Sequence, residues 1–191
     1  MNCPLILASA SPRRKEILER LGLSFAVDPA RRELPPDPSL PAGQAVLAVA
    51  RGKAEEVAER HPGTVVLGAD TAVCLEGTLL GKPRDERHAR AMLTALQGRE
   101  HQVLTAVWVC APPVPGRPAS GGFVSRARVR FYPMSGREIG EYIATGEPMD
   151  KAGAYGIQGF GMRYIRDISG DYYTVMGLPG ARVRRFLRLF S

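Results

Sequence analysis

The stretch from Leu5 to Gly22 constrains this chain most. Leu5-Ile-Leu-Ala8 is a continuous apolar run of strand length. With no spacer it meets Ser9-Ala-Ser11-Pro12-Arg13-Arg14, and then Ile17, Leu18 and Leu21 at helical spacing. Ser11 reads as an N-cap and Pro12 as a first helical residue, where a missing N–H costs nothing. Gly22 ends the helix. A buried strand passing through a tight polar turn into a helix commits the chain to layers of sheet and helix. The helix start offers unpaired N–H groups and a partial positive charge. Two serine hydroxyls and two guanidinium groups would complete a polydentate phosphate site. Taken alone, the same six residues also suit a capped surface helix with exposed arginines.

The rest of the chain alternates strand and helix patterns. Ser24 to Val27 reads as a short strand, and the proline-rich segment 28–43, with Glu33 inside it, as a loop. Gln44 to Arg60 has helical periodicity and stops at His61-Pro-Gly63. Thr64 to Leu67 is an apolar strand running into Gly68-Ala-Asp70-Thr71, with extended structure to Leu75 and a hairpin at Glu76-Gly77. A helix is expected from about Asp85 to Leu96. Two strands, 101–110 and 121–132, pair across a loop holding four prolines. Ser135 with Glu138 three residues on is a capping-box pattern for a helix to Ala144. A glycine-dense segment to Gly161, a strand from Arg163 to Ile168 and a closing helix from Pro179 to Phe190 follow. The 191 residues suit one domain, 1–191, of mixed-sheet α/β (α+β) class, elongated and bilobal with a cleft.

Composition narrows the chemistry. The chain carries 26 Lys and Arg against 19 Asp and Glu, a net charge of +7, yet only four of the basic residues are lysine. Either arginine is simply preferred as the surface cation, or the partner is an anion. No block of five or six basic residues occurs, which argues against a nucleic-acid tail and leaves small anions. Cys3, Cys74 and Cys110 are far apart, odd in number and without a Cys-x-x-Cys, and His61, His88 and His101 are isolated. This points to a reducing, cytoplasmic setting with no disulfide framework and no zinc site. A divalent cation would have to be held by carboxylates and by substrate. No run of about 18 apolar residues is present, and the opening Met1-Asn-Cys-Pro lacks a basic n-region, so neither a membrane partner nor a signal peptide is expected.

Four clusters have the residue types for chemistry. The first is the Ser9 to Arg14 turn. The second is Asp70, an acid at the end of an apolar strand, suited to act as a base or to hold a cation, with Gly68 marking a close approach to the backbone. The third is the lysines: Lys82 in a Gly-Lys-Pro turn, Lys151 after Asp150, and Lys53, whose neighbours Arg51 and Glu55 give it the look of a surface residue. The fourth is Asp150 to Gly159, where Gln158 offers a donor and an acceptor to a base edge. Cations, a carboxylate and an amide, each flanked by glycine at element ends, are what a nucleoside-phosphate enzyme uses. Gly-x-x-x-x-Gly-Lys-[Ser/Thr] is absent, and no Gly-x-Gly-x-x-Gly opens the first helix.

At this level the chain resembles the Maf family of nucleotide pyrophosphatases over nearly its whole length. The motifs are Leu-Ala-Ser9-Ala-Ser11-Pro-Arg13-Arg14, Glu33 after Phe25-x-Val27-x-Pro29, Ala50-Arg-Gly-Lys53-Ala and Gly68-Ala-Asp70-Thr71. They continue with Gly81-Lys82-Pro83, Gly98-Arg-Glu-His101-x-Val-x-Thr105, Gly146-Glu-Pro-x-Asp150-Lys151-Ala-Gly-Ala-Tyr155-Gly-Ile-Gln158-Gly and Gly177-Leu-Pro. The resemblance implies an inosine-triphosphate-pyrophosphatase-like fold and hydrolysis of a nucleoside triphosphate to the monophosphate and pyrophosphate with Mg²⁺ or Mn²⁺. It implies Asp70 as proton acceptor, with Ser9, Arg14, Glu33, Lys53, Lys82 and Lys151 lining the site and Glu33 and Asp70 toward the metal. It also implies substrate choice by Arg13, Thr71 and Gln158, a combination that looks like the branch acting on dTTP and UTP; the branch preferring 7-methyl-GTP has tryptophan at the first of these positions. Gln97, Thr174 and Gly180 depart from the family's usual serine, asparagine and larger apolar residue. A homodimer is expected by analogy alone. Two other readings stand beside this one: a nucleotide- or DNA-binding regulator of septum formation, and an enzyme acting mainly on modified pyrimidine nucleotides.

Overall fold

The computed structural model describes residues 5–32 and 35–190. In chain order the elements are β1 (Leu5–Leu7), α1 (Pro12–Arg20), β2 (Phe25–Val27), α2 (Ala42–Arg60), β3 (Val65–Leu75), β4 (Thr78–Leu80) and α3 (Glu86–Leu96). There follow β5 (Glu100–Cys110), β6 (Ser120–Phe131), α4 (Gly136–Ala144), β7 (Ile165–Gly170), α5 (Tyr172–Met176) and α6 (Gly180–Leu187). The sheet has seven strands in the order β2-β1-β3-β5-β6-β7, with β4 paired to β3. It is mixed: β1 runs parallel to β2 and to β3, while β4 is antiparallel to β3 and β7 to β6. Backbone bonds from Phe131 N to Arg99 O and from Ala111 N to Ala119 O, at opposite ends of the β5–β6 pair, make it an antiparallel hairpin.

The chain divides into two compact units. Among the described residues, one holds 5–32, 35–70, 105–125 and 177–190, and the other 71–104 and 126–176. In the first, Ile6, Ala8 and Val66 of the parallel strands pack on Ala54 and Val57 of α2. The close fit depends on Gly68. A Cβ there would stand 2.5 Å from Ala50 O and 2.8 Å from Ala54 N, so the helix backbone lies directly on β3. In the second unit, α3 and α4 supply Leu93, Leu96, Ile139 and Tyr142 to a core shared with Val73, Val129 and Phe131. The capping box of α4 is present on both sides: Ser135 Oγ accepts from Glu138 N, and Glu138 Oε2 accepts from Ser135 N.

Three local expectations change. Asp70 does not end a strand: β3 is continuous for 11 residues, with Asp70 near its middle. The strand continues past Leu67 because it has further neighbours there: β4 pairs with Val73 to Leu75, and β5 is next to β3 in the sheet. Ser11 sits at the N-cap of α1 in extended conformation, but its side chain makes no capping bond. A short helix, α5, precedes the closing one. The departures at Gln97 and Gly180 have physical accounts. Gln97 Oε1 accepts from Met134 N at 3.2 Å, tying the end of α3 to the segment before α4. A Cβ on Gly180 would lie 3.2 Å from Ile17 Cγ2, so glycine lets α6 close on α1. Thr174 is fully buried, with Oγ1 3.4 Å from Asp171 Oδ2.

Candidate functional site

Parallel pairing builds the first part of the site. β1 and β3 are in register at Leu7 and Leu67, and Ala8 N donates to Leu67 O at 2.9 Å. The polar turn leaving β1 therefore stands at the level of the residues just after Leu67 on β3, among them Asp70. The carboxyl ends of parallel strands, where chains turn into helices, are where α/β sheets place ligand groups. Here that end carries Ser9, Arg13 and Arg14 on one strand exit and Asp70 on the neighbouring strand.

Within the turn, Ser9 Oγ accepts from Arg14 Nη1 at 2.9 Å and lies 3.3 Å from Ser11 N. Arg14 Nε also donates to Gly177 O at 2.9 Å, and the residue is only 9% exposed. A buried guanidinium persists only when hydrogen-bonded; Arg14 is thus a fixed cation that sets the Ser9 hydroxyl. Arg13, next to it on α1, is half-buried.

Lys53 departs from the surface look that its neighbours in α2 give it. Arg51 and Glu55 do form an exposed i,i+4 ion pair at 2.7 Å, but Lys53 between them turns inward. Its Nζ lies 2.8 Å from Asp70 Oδ1, with the two side chains 10% and 14% exposed. Gly68 makes this contact available by bringing α2 down on β3. The result is an ammonium–carboxylate pair, shielded from water, with its carboxylate on the strand next to the one that leads into Ser9, Arg14 and the start of α1. Glu33 lies outside the described residues.

In the second unit, Thr71 follows Asp70 on β3 and is half-buried, and Lys82 is exposed. Gly153 N donates to Gly81 O at 3.0 Å, so the Gly81-Lys82-Pro83 turn and the Lys151 segment are brought together. Gly153 has φ of +68°, and a Cβ there would strike Val73. Lys151 folds back on its own segment, its Nζ 2.6 Å from Asp150 Oδ1 and 2.9 Å from Glu147 O. Gln158 is exposed.

The sequence reading assigned no role to three residues here. Glu147 Oε1 accepts from Tyr142 OH at 2.7 Å, and its Oε2 accepts from Phe160 N at 2.6 Å. Burial pushes the Glu147 carboxyl up, but the hydrogen bonds from Tyr142, Phe160 and Gly161 outweigh it and hold it below the usual range. His101, 3% exposed, has Nε2 2.8 Å from Tyr155 OH, and its ring meets Phe131 and Tyr155 edge-on. Burial lowers the imidazole to about 4, against a small opposing effect of Glu100. The usable signal was the run of glycines at 153, 156, 159 and 161: spacing this dense marks backbone held close against side chains.

The donor chemistry bears on metal binding. Among the described residues no group of three or more His, Cys, Asp or Glu is placed to hold a metal ion. A single carboxylate at Asp70 fits a hard cation held by one or two protein carboxylates and by phosphate oxygens. Among the described residues no helix is long and apolar enough to cross a membrane. Cys74 is buried and Cys110 half-buried, both as free thiols.

Comparisons with known proteins agree with the motifs. The chain is 48% identical over 184 residues to a dTTP/UTP pyrophosphatase of Anaeromyxobacter sp., covering 96% of this chain and 88% of the relative. It is 45% identical over 186 residues to a dTTP/UTP pyrophosphatase of Halalkalibacterium halodurans, covering 97% and 95%. Among solved structures, a nucleoside-triphosphatase / dITP/XTP pyrophosphatase from Mycobacterium abscessus aligns with 97% of this chain and 94% of its own, at 15% identity and a TM-score of 0.47. The family model described as Maf-like protein matches residues 4–190. With that span matched and relatives this similar along almost their whole length, the chain belongs to the Maf family.

Proposed function

We propose that this protein hydrolyses dTTP and UTP to the nucleoside monophosphate and pyrophosphate. The observation that carries the reading is the Lys53–Asp70 pair, 2.8 Å apart and shielded from solvent, at the level of the Ser9 to Arg14 turn. The names of the relatives supply the substrate class. In the reaction water attacks the α-phosphorus, the α–β anhydride P–O bond breaks, and pyrophosphate leaves with the electron pair. Asp70 accepts or orients the water's proton, while Lys53 keeps the carboxylate in place and adds positive charge. Arg14, the Ser9 hydroxyl and the N–H groups at the start of α1 bind phosphate oxygens without reorganising, which is how preorganised donors lower a barrier. Asp70 and Glu33 are the residues to hold Mg²⁺ or Mn²⁺, which neutralises triphosphate charge when bound. Lys82 and Lys151 serve as further phosphate cations, and Arg13, Thr71 and Gln158 choose the base. A cytoplasmic location and a homodimer belong to the same proposal.

Purified protein incubated with dTTP, UTP and a panel of standard and modified triphosphates, with Mg²⁺ or Mn²⁺, tests the reading by pyrophosphate release. Release greatest from dTTP and UTP is expected. Asp70→Asn should lose about 10²–10⁴-fold in kcat, the usual worth of general-base help. No pyrophosphate from any member of the panel overturns the enzymatic reading in favour of a binding role. A modified pyrimidine outrunning both dTTP and UTP overturns the substrate assignment alone.

A further inference from the structure

The segment that carries Gln158 is gripped from inside the second unit by one tyrosine and one carboxylate. Tyr142, on the buried face of α4, accepts from Gly156 N at 3.0 Å and donates to Glu147 Oε1 at 2.7 Å. Glu147 then accepts from Phe160 N at 2.6 Å through Oε2, and from Gly161 N at 3.2 Å through Oε1. The two ends of 156–161 are thus pinned to one hydrogen-bonded unit, with exposed Gln158 between them. The glycines are the counterpart of this grip. A Cβ on Gly159 would collide with the Glu147 carboxylate, and one on Gly161 would stand 2.5 Å from Tyr142 OH. Side chains at these positions would push the backbone off its acceptors.

We propose that Glu147 is a positioning residue for substrate choice: with Tyr142 it fixes the backbone on both sides of Gln158 and so sets the amide that reads the base. This rests on the reading that Gln158 contacts the base. Glu147 touches no substrate in this account, and its carboxylate is committed to Tyr142 and two backbone amides. Hydrogen bonds to an ionised acceptor are the strong ones, and a neutral amide at this position cannot serve all three donors. The Lys151 contact is to the Glu147 carbonyl, so a side-chain change leaves it in place.

The test compares Glu147→Gln, Glu147→Asp, Tyr142→Phe and Gln158→Ala in the full chain. KM and kcat are measured for dTTP, UTP, dCTP and dGTP, together with amide hydrogen exchange at Gly156, Phe160 and Gly161. Glu147→Gln should raise KM for dTTP and UTP about 10-fold, the scale of losing a charged hydrogen bond. Its kcat should change less, its preference over dCTP and dGTP should narrow, and exchange at Phe160 and Gly161 should quicken. Tyr142→Phe, which keeps the carboxylate, should shift the same quantities less, with exchange quickening at Gly156. Glu147→Asp, keeping the charge at shorter reach, should recover part of the preference. If Gln158→Ala narrows the preference and Glu147→Gln does not, the positioning role is wrong. If Glu147→Gln lowers kcat equally for all four substrates with exchange unchanged, the role is also wrong. If Gln158→Ala leaves the preference intact, the base-reading assignment fails, and with it the specificity role given to Glu147; quickened exchange would then mark the grip as structural only.

Discussion

Arg13 and Arg14 are adjacent in sequence and different in circumstance. Arg14 is buried and spans from Ser9 Oγ to Gly177 O, while Arg13 is half-buried. Arg14→Ala leaves the Gly177 carbonyl and the Ser9 hydroxyl short of a donor in a buried place, a loss of about 1–3 kcal/mol. It should therefore lower the melting temperature and reduce turnover on every substrate alike. Arg13→Ala should leave the melting temperature close to that of the parent and change the ranking of substrates. Thermal melts run beside the substrate panel check both; equal, substrate-independent losses for the two variants would contradict the division. The motif holds both arginines, but only the fold shows that one of them is also a structural tie.

At the scale of elements, the seating of α2 on β3 is the contact the candidate site depends on. Gly68→Ala places a methyl group against Ala50 O and Ala54 N, which are backbone atoms and cannot swing aside. Overpacking of this kind costs about 1–3 kcal/mol. In a chain of this length it should lower the melting temperature by several degrees. The helix has to lift, so the Lys53–Asp70 pair opens and kcat should fall although no site residue has changed. Calorimetry and kcat measured on the same preparation test this; a variant with parental turnover would show that the pair does not depend on the seating. Much of the element layer was legible beforehand. The alternation of 121–132, the capping box at Ser135 and the stop at His61-Pro-Gly63 are short-range signals, and short-range physics decided them. The extended run to Leu75 and its hairpin were legible too; that Asp70 lies inside that strand and does not end one was not, because β4 pairs with it beyond Asp70. Nor was the inward turn of Lys53 written in its helix, where its neighbours Arg51 and Glu55 do face water; only the family motif singled it out.

For the molecule as a whole, the clearest pH effect comes from a group outside the proposed chemistry. His101 sits in the core of the second unit with its imidazole lowered to about 4 by burial, against about 6.5 in the unfolded chain. Above pH 6.5 both states hold it neutral and its contribution is constant. As pH falls from about 6.5 toward 4, only the unfolded chain takes up the proton, so stability is lost across that window. The full difference is on the order of 3 kcal/mol. Denaturant melts at pH 7 and pH 4.5 should show this loss, and His101→Asn, though less stable at pH 7, should show a smaller difference between the two pH values. An unchanged difference would mean that other groups govern acid stability.

From sequence alone came the family, the strand–turn–helix at Ser9 to Arg14, the order of the strands and helices apart from the short α5, and most of the residues to consider, because each is written in local patterns of apolarity, glycine and proline. The tertiary structure decided which of those residues meet. It brought Lys53 to Asp70 across 17 positions of sequence, tied Arg14 to Gly177, and closed Glu147 on the backbone around Gln158. The reason is that pairing and burial of a charged side chain depend on what lies opposite it in the packed fold. A carboxylate in a Gly-Glu-Pro turn and a lysine on an amphipathic helix look alike in sequence whether they face water or a partner. Only a neighbour brought close by the backbone, as α2 is by the missing side chain of Gly68, settles which it will be.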